Sequence, residues 1–250
     1  MPGSAQAAVR PRHVLCFLGG TPELAPLSDA ASNAIRQFAT GFVVDTTYSR
    51  EAPDPVMERS FGVCWDRVAP NGWTAADEEA VVRHQSVLYV LSPPLMPDTA
   101  VTISTAALFL VEALMRAGAV AVKGESAGVA HGLARWPELT LQASAALTAG
   151  DDVAVSRACR LAFAKRPLEA EKYLESVGFH LVGLPEVYVA KNLGNARQVV
   201  AIMDAVADEM TQHGRDAALK KRQAALSFAT KFAPDDFKFN PYGIAYVDRI

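Results

Sequence analysis

The chain has 250 residues, 50% hydrophobic and 20% charged, with a formal net charge of −3. That length and apolar content support one large core or two smaller ones and exclude wholesale disorder. The balance of charge excludes the strongly basic character of a general nucleic-acid binder.

Residues 1–12 are mostly small and polar and read as a flexible tail. Residues 13–18 are an apolar run, a buried strand that stops at Gly19-Gly20. Thr21-Pro22-Glu23 carries helix-start chemistry, and Pro26 moves the regular helix toward Leu27. Ala30, Ala31, Ala34, Ile35 and Phe38 then recur at helical spacing up to Gly41. Residues 42–48 are β-branched and aromatic, hence a strand, and residues 51–58, with two prolines, a loop. Phe61, Val63 and Trp65 alternate with smaller or polar neighbours and predict a third strand. Pro70-Asn71-Gly72 is a turn, and Thr74 with Asp77 forms a capping-box pattern for a short helix to Arg83. A strand over 86–91 ends before Pro93-Pro94; residues 101–117 form a helix apolar on most sides, and 119–123 the next strand.

The second half is less regular. Residues 137–149 read as helix, 153–164 fit either helix or strand, and 168–177 read as helix. Residues 179–182 and 186–189 flank Gly183-Leu184-Pro185 as a hairpin. Asn195 caps a helix to His213 whose apolar face carries Val199, Val200, Met203, Val206 and Met210. Residues 225–228, 237–239 and 244–247 suit terminal strands. The order predicts an α+β fold, with antiparallel or mixed sheets and helices on one face. A boundary near Gly150-Asp151-Asp152 divides it into 13–150 and 151–250, two ferredoxin-like halves or one continuous domain. A three-layer α/β fold is the alternative.

Cys16, Cys64 and Cys159 are an odd, scattered set that does not suggest a disulfide framework and fits a reducing cytoplasm. The longest apolar segment, 106–115, is interrupted by Glu112 and is too short to span a bilayer. The expectation is a soluble cytoplasmic protein without nucleic-acid or membrane partners. His13 and Cys16 fall on opposite faces of their strand, and Cys64 and His84 lack ligand spacing, so no metal or other cofactor is expected. Trp65, Trp73 and Trp136 read as core or rim packing, or as a surface for self-association.

One stretch spells a catalytic device. Gly124-Glu125-Ser126-Ala127-Gly128 is a G-x-S-x-G pentapeptide after the apolar run 119–122. It resembles the nucleophile elbow of α/β-hydrolases, especially carboxylesterases, over residues 120–129. That resemblance implies Ser126 as nucleophile and the Ala127 N–H as an oxyanion donor. A base and an orienting acid must complete it. His131 follows too closely, on the next helix; Asp204 and His213 lie nine positions apart on one helix, roughly 13–14 Å. Asp151 or Asp152 with His180 keeps the family order, and Ser126, His180 and Asp152 are the candidate catalytic residues. Glu186, just past a proline turn, reads as exposed.

Gly183-Leu184-Pro185-Glu186-Val187 before a long helix, with the strand–helix–strand order ahead of it, resembles an uncharacterised bacterial domain family over residues 14–213. That family brings no catalytic residues. The sequence reading is a protein that binds a partner protein or small ligand; the alternative is a small esterase-like serine hydrolase.

Overall fold

The computed structural model describes residues 10–65, 72–222, 226–229 and 240–249. The turn at 70–72, apart from Gly72, and the strand expected at 237–239 lie outside the described residues, as do residues 1–9 of the expected tail.

Two five-stranded sheets form, mostly antiparallel, with eight α-helices among the described residues. The first sheet takes β1 (Val14–Gly19), β2 (Val43–Arg50), β3 (Ser86–Leu91), β4 (Ala119–Gly124) and β5 (Val129–His131) in the order β2-β3-β1-β4-β5. Helix α1 (Ala25–Gln37) follows β1, and α4 (Ala100–Arg116) joins β3 to β4. With β5 set aside, this is the split βαβ arrangement of a ferredoxin-like unit. β1 is central, pairing antiparallel with β3 and β4, so Leu15 lies opposite both Val90 and Gly124.

Period-two alternation on β1 separates two cores. Leu15 and Phe17 pack with α1 and α4 through Leu27, Ala31, Leu108 and Val111. Cys16 and Leu18 point the other way, onto Met57, Phe61 and Val81. These last residues belong to α2 (Met57–Gly62) and α3 (Ala75–Val82), so the first sheet carries short helices on its second face. The alternation of Phe61, Val63 and Trp65 therefore belongs to a short helix and its exit, with Met57 and Phe61 buried at i, i+4. α3 opens on the expected capping box, in which Thr74 N–H donates to Asp77 Oδ2 at 2.8 Å.

The second sheet holds β6 (Lys165–Glu169), β7 (Tyr173–Val177), β8 (Glu186–Ala190), β9 (Leu226–Ala229) and β10 (Ile244–Val247) in the order β6-β7-β8-β10-β9. β6, β7 and β8 form an antiparallel meander. The chain then crosses over through α7 (Ala196–His213) and α8 (Arg215–Lys221), and β10 lies parallel to β8. The ferredoxin-like order thus holds in the first half and not in the second. Residues 168–177 are strand–turn–strand rather than helix, and 179–182 are a 3-10 turn (Phe179–Val182) rather than a hairpin arm. The segment 153–164 resolves as helix α6 (Asp152–Phe163), preceded by α5 (Arg135–Ala149).

One core crosses residue 150. Leu15, Phe17, Leu108 and Trp136 cluster with Ala158, Ala162, Phe163 and Leu181. A second core packs Val187, Val189, Ala245 and Val247 under Val199, Met203 and Met210 of α7. Buried Arg160 on α6 reaches Asp208 on α7 at 2.5 Å, and Arg166 on β6 reaches Asp204 at 3.1 Å. Burial lowers the Arg160 pKa against the opposing pull of Asp208. No helix of the described residues is long and apolar enough to cross a membrane.

Candidate functional site

A cavity of about 600 Å³ opens where the two sheets approach each other. Its walls come from five separated segments: residues 10–12 before β1, 63–64 after α2, 125–128 between β4 and β5, β6 at Lys165 and Leu168, and the end of β7 through His180. A smaller neighbour of about 390 Å³ shares Val63, Lys165 and Leu168 with it. Ser126 and His180 both line the larger cavity.

Ser126 sits on a turn between two antiparallel strands, because β4 pairs directly with β5 from Val122–His131 to Gly124–Val129. A nucleophile elbow is a strand-to-helix turn, so the local resemblance does not extend to the fold. His131, expected on a following helix, is buried on β5 and donates from Nε2 to Ala162 O at 2.9 Å. The Ser126 hydroxyl donates to Arg12 O at 2.7 Å and accepts the Val14 N–H at 2.9 Å. It fastens the entry of β1 to the β4–β5 turn. Residues 10–12, expected within the flexible tail, are held there and by Leu95 N–H on Pro11 O at 2.8 Å.

The other candidates separate. Asp152 lies in the first turn of α6 and lines a different groove of about 300 Å³ with Phe38, Phe109 and Leu147. The Asp151-Asp152 pair is helix-start chemistry: Asp151 Oδ1 accepts the Ala154 N–H at 2.9 Å. The carboxylate beside His180 is Glu186, whose Oε1 lies 3.2 Å from His180 Nδ1. Glu186 is 1% exposed, contrary to the expected exposure. Its carboxylate accepts from Ser176 Oγ at 2.5 Å, Gly178 N at 3.0 Å, Phe179 N at 3.1 Å and Asn240 Nδ2 at 2.9 Å. Burial alone would raise its pKa; hydrogen bonds from His180, Ser176 and Asn240 outweigh that and hold it below the ordinary value. A lone acid in the apolar stretch 184–189 was the signal for such a buried, paired group.

Among the described residues, Glu186 is the sole polar partner of the His180 ring, which it meets at Nδ1, and His180 lines the cavity. No hydrogen bond joins His180 to Ser126. His13, behind the cavity, has its pKa pushed down to about 3, by burial first and by His180 second. Its Nε2–H donates to Ser104 Oγ at 2.7 Å, since the Ser104 proton goes to Leu181 O at 2.5 Å.

The charge at the cavity is unbalanced. Among the described residues, Arg10 and Arg12 make no ion pair and Lys165 Nζ is bound only to Val63 O at 2.6 Å. The one lining carboxylate, Glu125, is neutralised by buried Lys123 at 2.8 Å. Lys123 also donates to Ser60 Oγ and lies 5.1 Å from the Phe61 ring centroid. The backbone N–H groups of Ser126 and Ala127 have no protein acceptor among the described residues. Cys64 lines the cavity, but burial raises its thiol pKa and keeps it protonated.

Gly178 locks the two halves of this site together. Its φ is +114°, and a Cβ there would lie 2.7 Å from Ala127 Cβ and 2.9 Å from Phe163 O. The turn before His180 therefore packs backbone-close against the turn that carries Ser126. Among the described residues, no group of three or more His, Cys, Asp or Glu side chains could hold a metal ion. Comparison with protein-family models, curated proteins and solved structures finds no match for this chain.

Proposed function

We propose that the protein binds a small amphipathic anion in the cavity between its two sheets. The carrying observation is the convergence on one cavity of Arg10 and Arg12, weakly engaged Lys165 and the N–H groups at 126–127, the arginines without an ion pair and the N–H groups without an acceptor among the described residues. These donors suit a carboxylate, sulfonate or phosphate head group. Val63, Leu168 and Val177 supply an apolar wall for the body of the ligand. Three free, buried thiols support residence in a reducing compartment.

Anilinonaphthalene sulfonate, a fluorescent amphipathic anion, tests this directly against neutral N-phenylnaphthylamine. Saturable binding of the anion at one site, weakened about tenfold by Arg12→Gln or Lys165→Gln, is expected for a charge-assisted contact at a partly exposed site. Equal binding of both dyes, insensitive to those substitutions, would refute the proposal.

A second reading, a serine hydrolase with Ser126 as nucleophile, is favoured by the presence of Ser126 and His180 on one cavity. It requires the Ser126 proton to leave Arg12 O for an imidazole. Labelling of Ser126 by a fluorophosphonate, absent in Ser126→Ala, would support it; no labelling near neutral pH argues against it.

A further inference from the structure

We infer that His180 is a general base that activates water against an ester held in this cavity, so that the protein hydrolyses small anionic esters without a serine nucleophile. The inference rests on the anion-binding reading of the same cavity.

Glu186 explains why the histidine is there. Ser176, Gly178, Phe179 and Asn240 already give its carboxylate four donors. A carboxylate offers about four acceptor sites, so His180 is not needed to satisfy it. The contact instead acts on the imidazole. A carboxylate can only accept, so Nδ1 carries the proton and the neutral ring has its lone pair on Nε2. Nε2 has no protein partner among the described residues, and the ring lines the cavity. A cavity-lining ring held at Nδ1 by a buried acid, with its basic nitrogen free of protein partners among the described residues, is the arrangement general-base catalysis requires.

The rest of the wall supplies what the reaction needs. His180 Nε2 takes a proton from water as the water oxygen bonds to the ester carbonyl carbon. The carbonyl π pair moves onto oxygen, where the N–H groups of Ser126 and Ala127 are the available donors. When the carbonyl re-forms, the carbon–oxygen bond to the alcohol breaks, and the leaving alkoxide takes the proton from Nε2. The products are a carboxylic acid and an alcohol, and His180 is regenerated neutral. Arg12 and Lys165 would hold a second anionic group on the acyl portion, which defines the substrate class as half-esters of small dicarboxylic acids. Glu186 is a positioning residue.

The test uses para-nitrophenyl hydrogen glutarate, with neutral para-nitrophenyl butyrate as comparator. The purified full chain is expected to turn over the glutarate ester saturably and in preference to the butyrate. His180→Gln lowers kcat at least about 100-fold with KM nearly unchanged, and added imidazole restores turnover to His180→Ala. Glu186→Gln, through the lost orientation, lowers kcat while KM holds. In the unmodified protein, diethyl pyrocarbonate acylation mapped to His180 should abolish turnover in step with modification, which decides the matter if the substitutions fail to fold. Turnover that survives full modification, or no His180-dependent turnover while anilinonaphthalene sulfonate still binds, overturns the catalytic inference and leaves the binding reading standing. Fluorophosphonate labelling of Ser126 that stops turnover overturns it in favour of the covalent route. Absence of charge-dependent dye binding sinks the binding reading itself and this inference with it.

Discussion

Acidification should destabilise the protein through His13 well before its carboxylates respond. The ring is 1% exposed, and its pKa is pushed down to about 3 by burial and by the nearby His180. In the unfolded chain it titrates near the ordinary histidine value of 6.5. Between those values the unfolded state binds one more proton than the folded state at this site. Stability is therefore complete above about pH 6.5 and falls as pH drops, by about 1.4 kcal/mol per unit. From pH 6.5 to pH 5 the loss is about 2 kcal/mol, a large fraction of a typical total of about 5–15 kcal/mol. The Glu186 pKa is also lowered, but there hydrogen bonds favour the charged form, and its contribution is lost only as pH falls below the ordinary value of 4.5. The interval from pH 6.5 to 5 thus isolates the histidines. Urea midpoints measured across it should fall more steeply for the wild type than for His13→Gln, which keeps a donor for Ser104 but cannot titrate. Equal slopes in the two proteins, or an NMR titration of the His13 ring near pH 6.5, would refute the reasoning.

Three further substitutions probe the frame of the cavity. Gly178→Ala adds a Cβ in a left-handed conformation against Ala127 and Phe163; urea denaturation should register a loss on the order of 3 kcal/mol, strain and overlap together. Ser126→Ala removes the acceptor for Val14 N–H and the donor to Arg12 O; a loss of about 1–2 kcal/mol is expected, with faster amide exchange at Val14. Glu125→Gln leaves Lys123, with no side-chain exposure, without its counter-charge; thermal melts should show it costing about 2–3 kcal/mol, and more than Lys123→Met, which removes the buried charge altogether.

Elements whose stability is local were legible in the sequence. The apolar periodicity of α4 and α7, the runs that became β1, β3 and β4, and the caps at Thr74 and Asn195 all appear as expected. What failed depended on partners distant in sequence. Residues 168–177 read locally as helix, yet β7 is claimed by β8 and β6 by β7. Met57 and Phe61 face a sheet whose position no local pattern announces. The site was half legible. Ser126 and His180 do share one cavity, but chain order points to Asp152, whereas the carboxylate at His180 is supplied by the neighbouring strand six residues on. Arg12 and Lys165 carry no motif at all; only folding makes them neighbours.

The cavity has no local address. Its walls are drawn from stretches beginning near residues 10, 63, 125, 165 and 177, so the complete wall needs all five stretches in place. Occupancy should therefore track the intact molecule alone, and any true ligand must raise the global unfolding midpoint in proportion to the logarithm of its concentration. A melting curve can thus serve as the first screen for what this protein holds, before anything is known of the compound's identity.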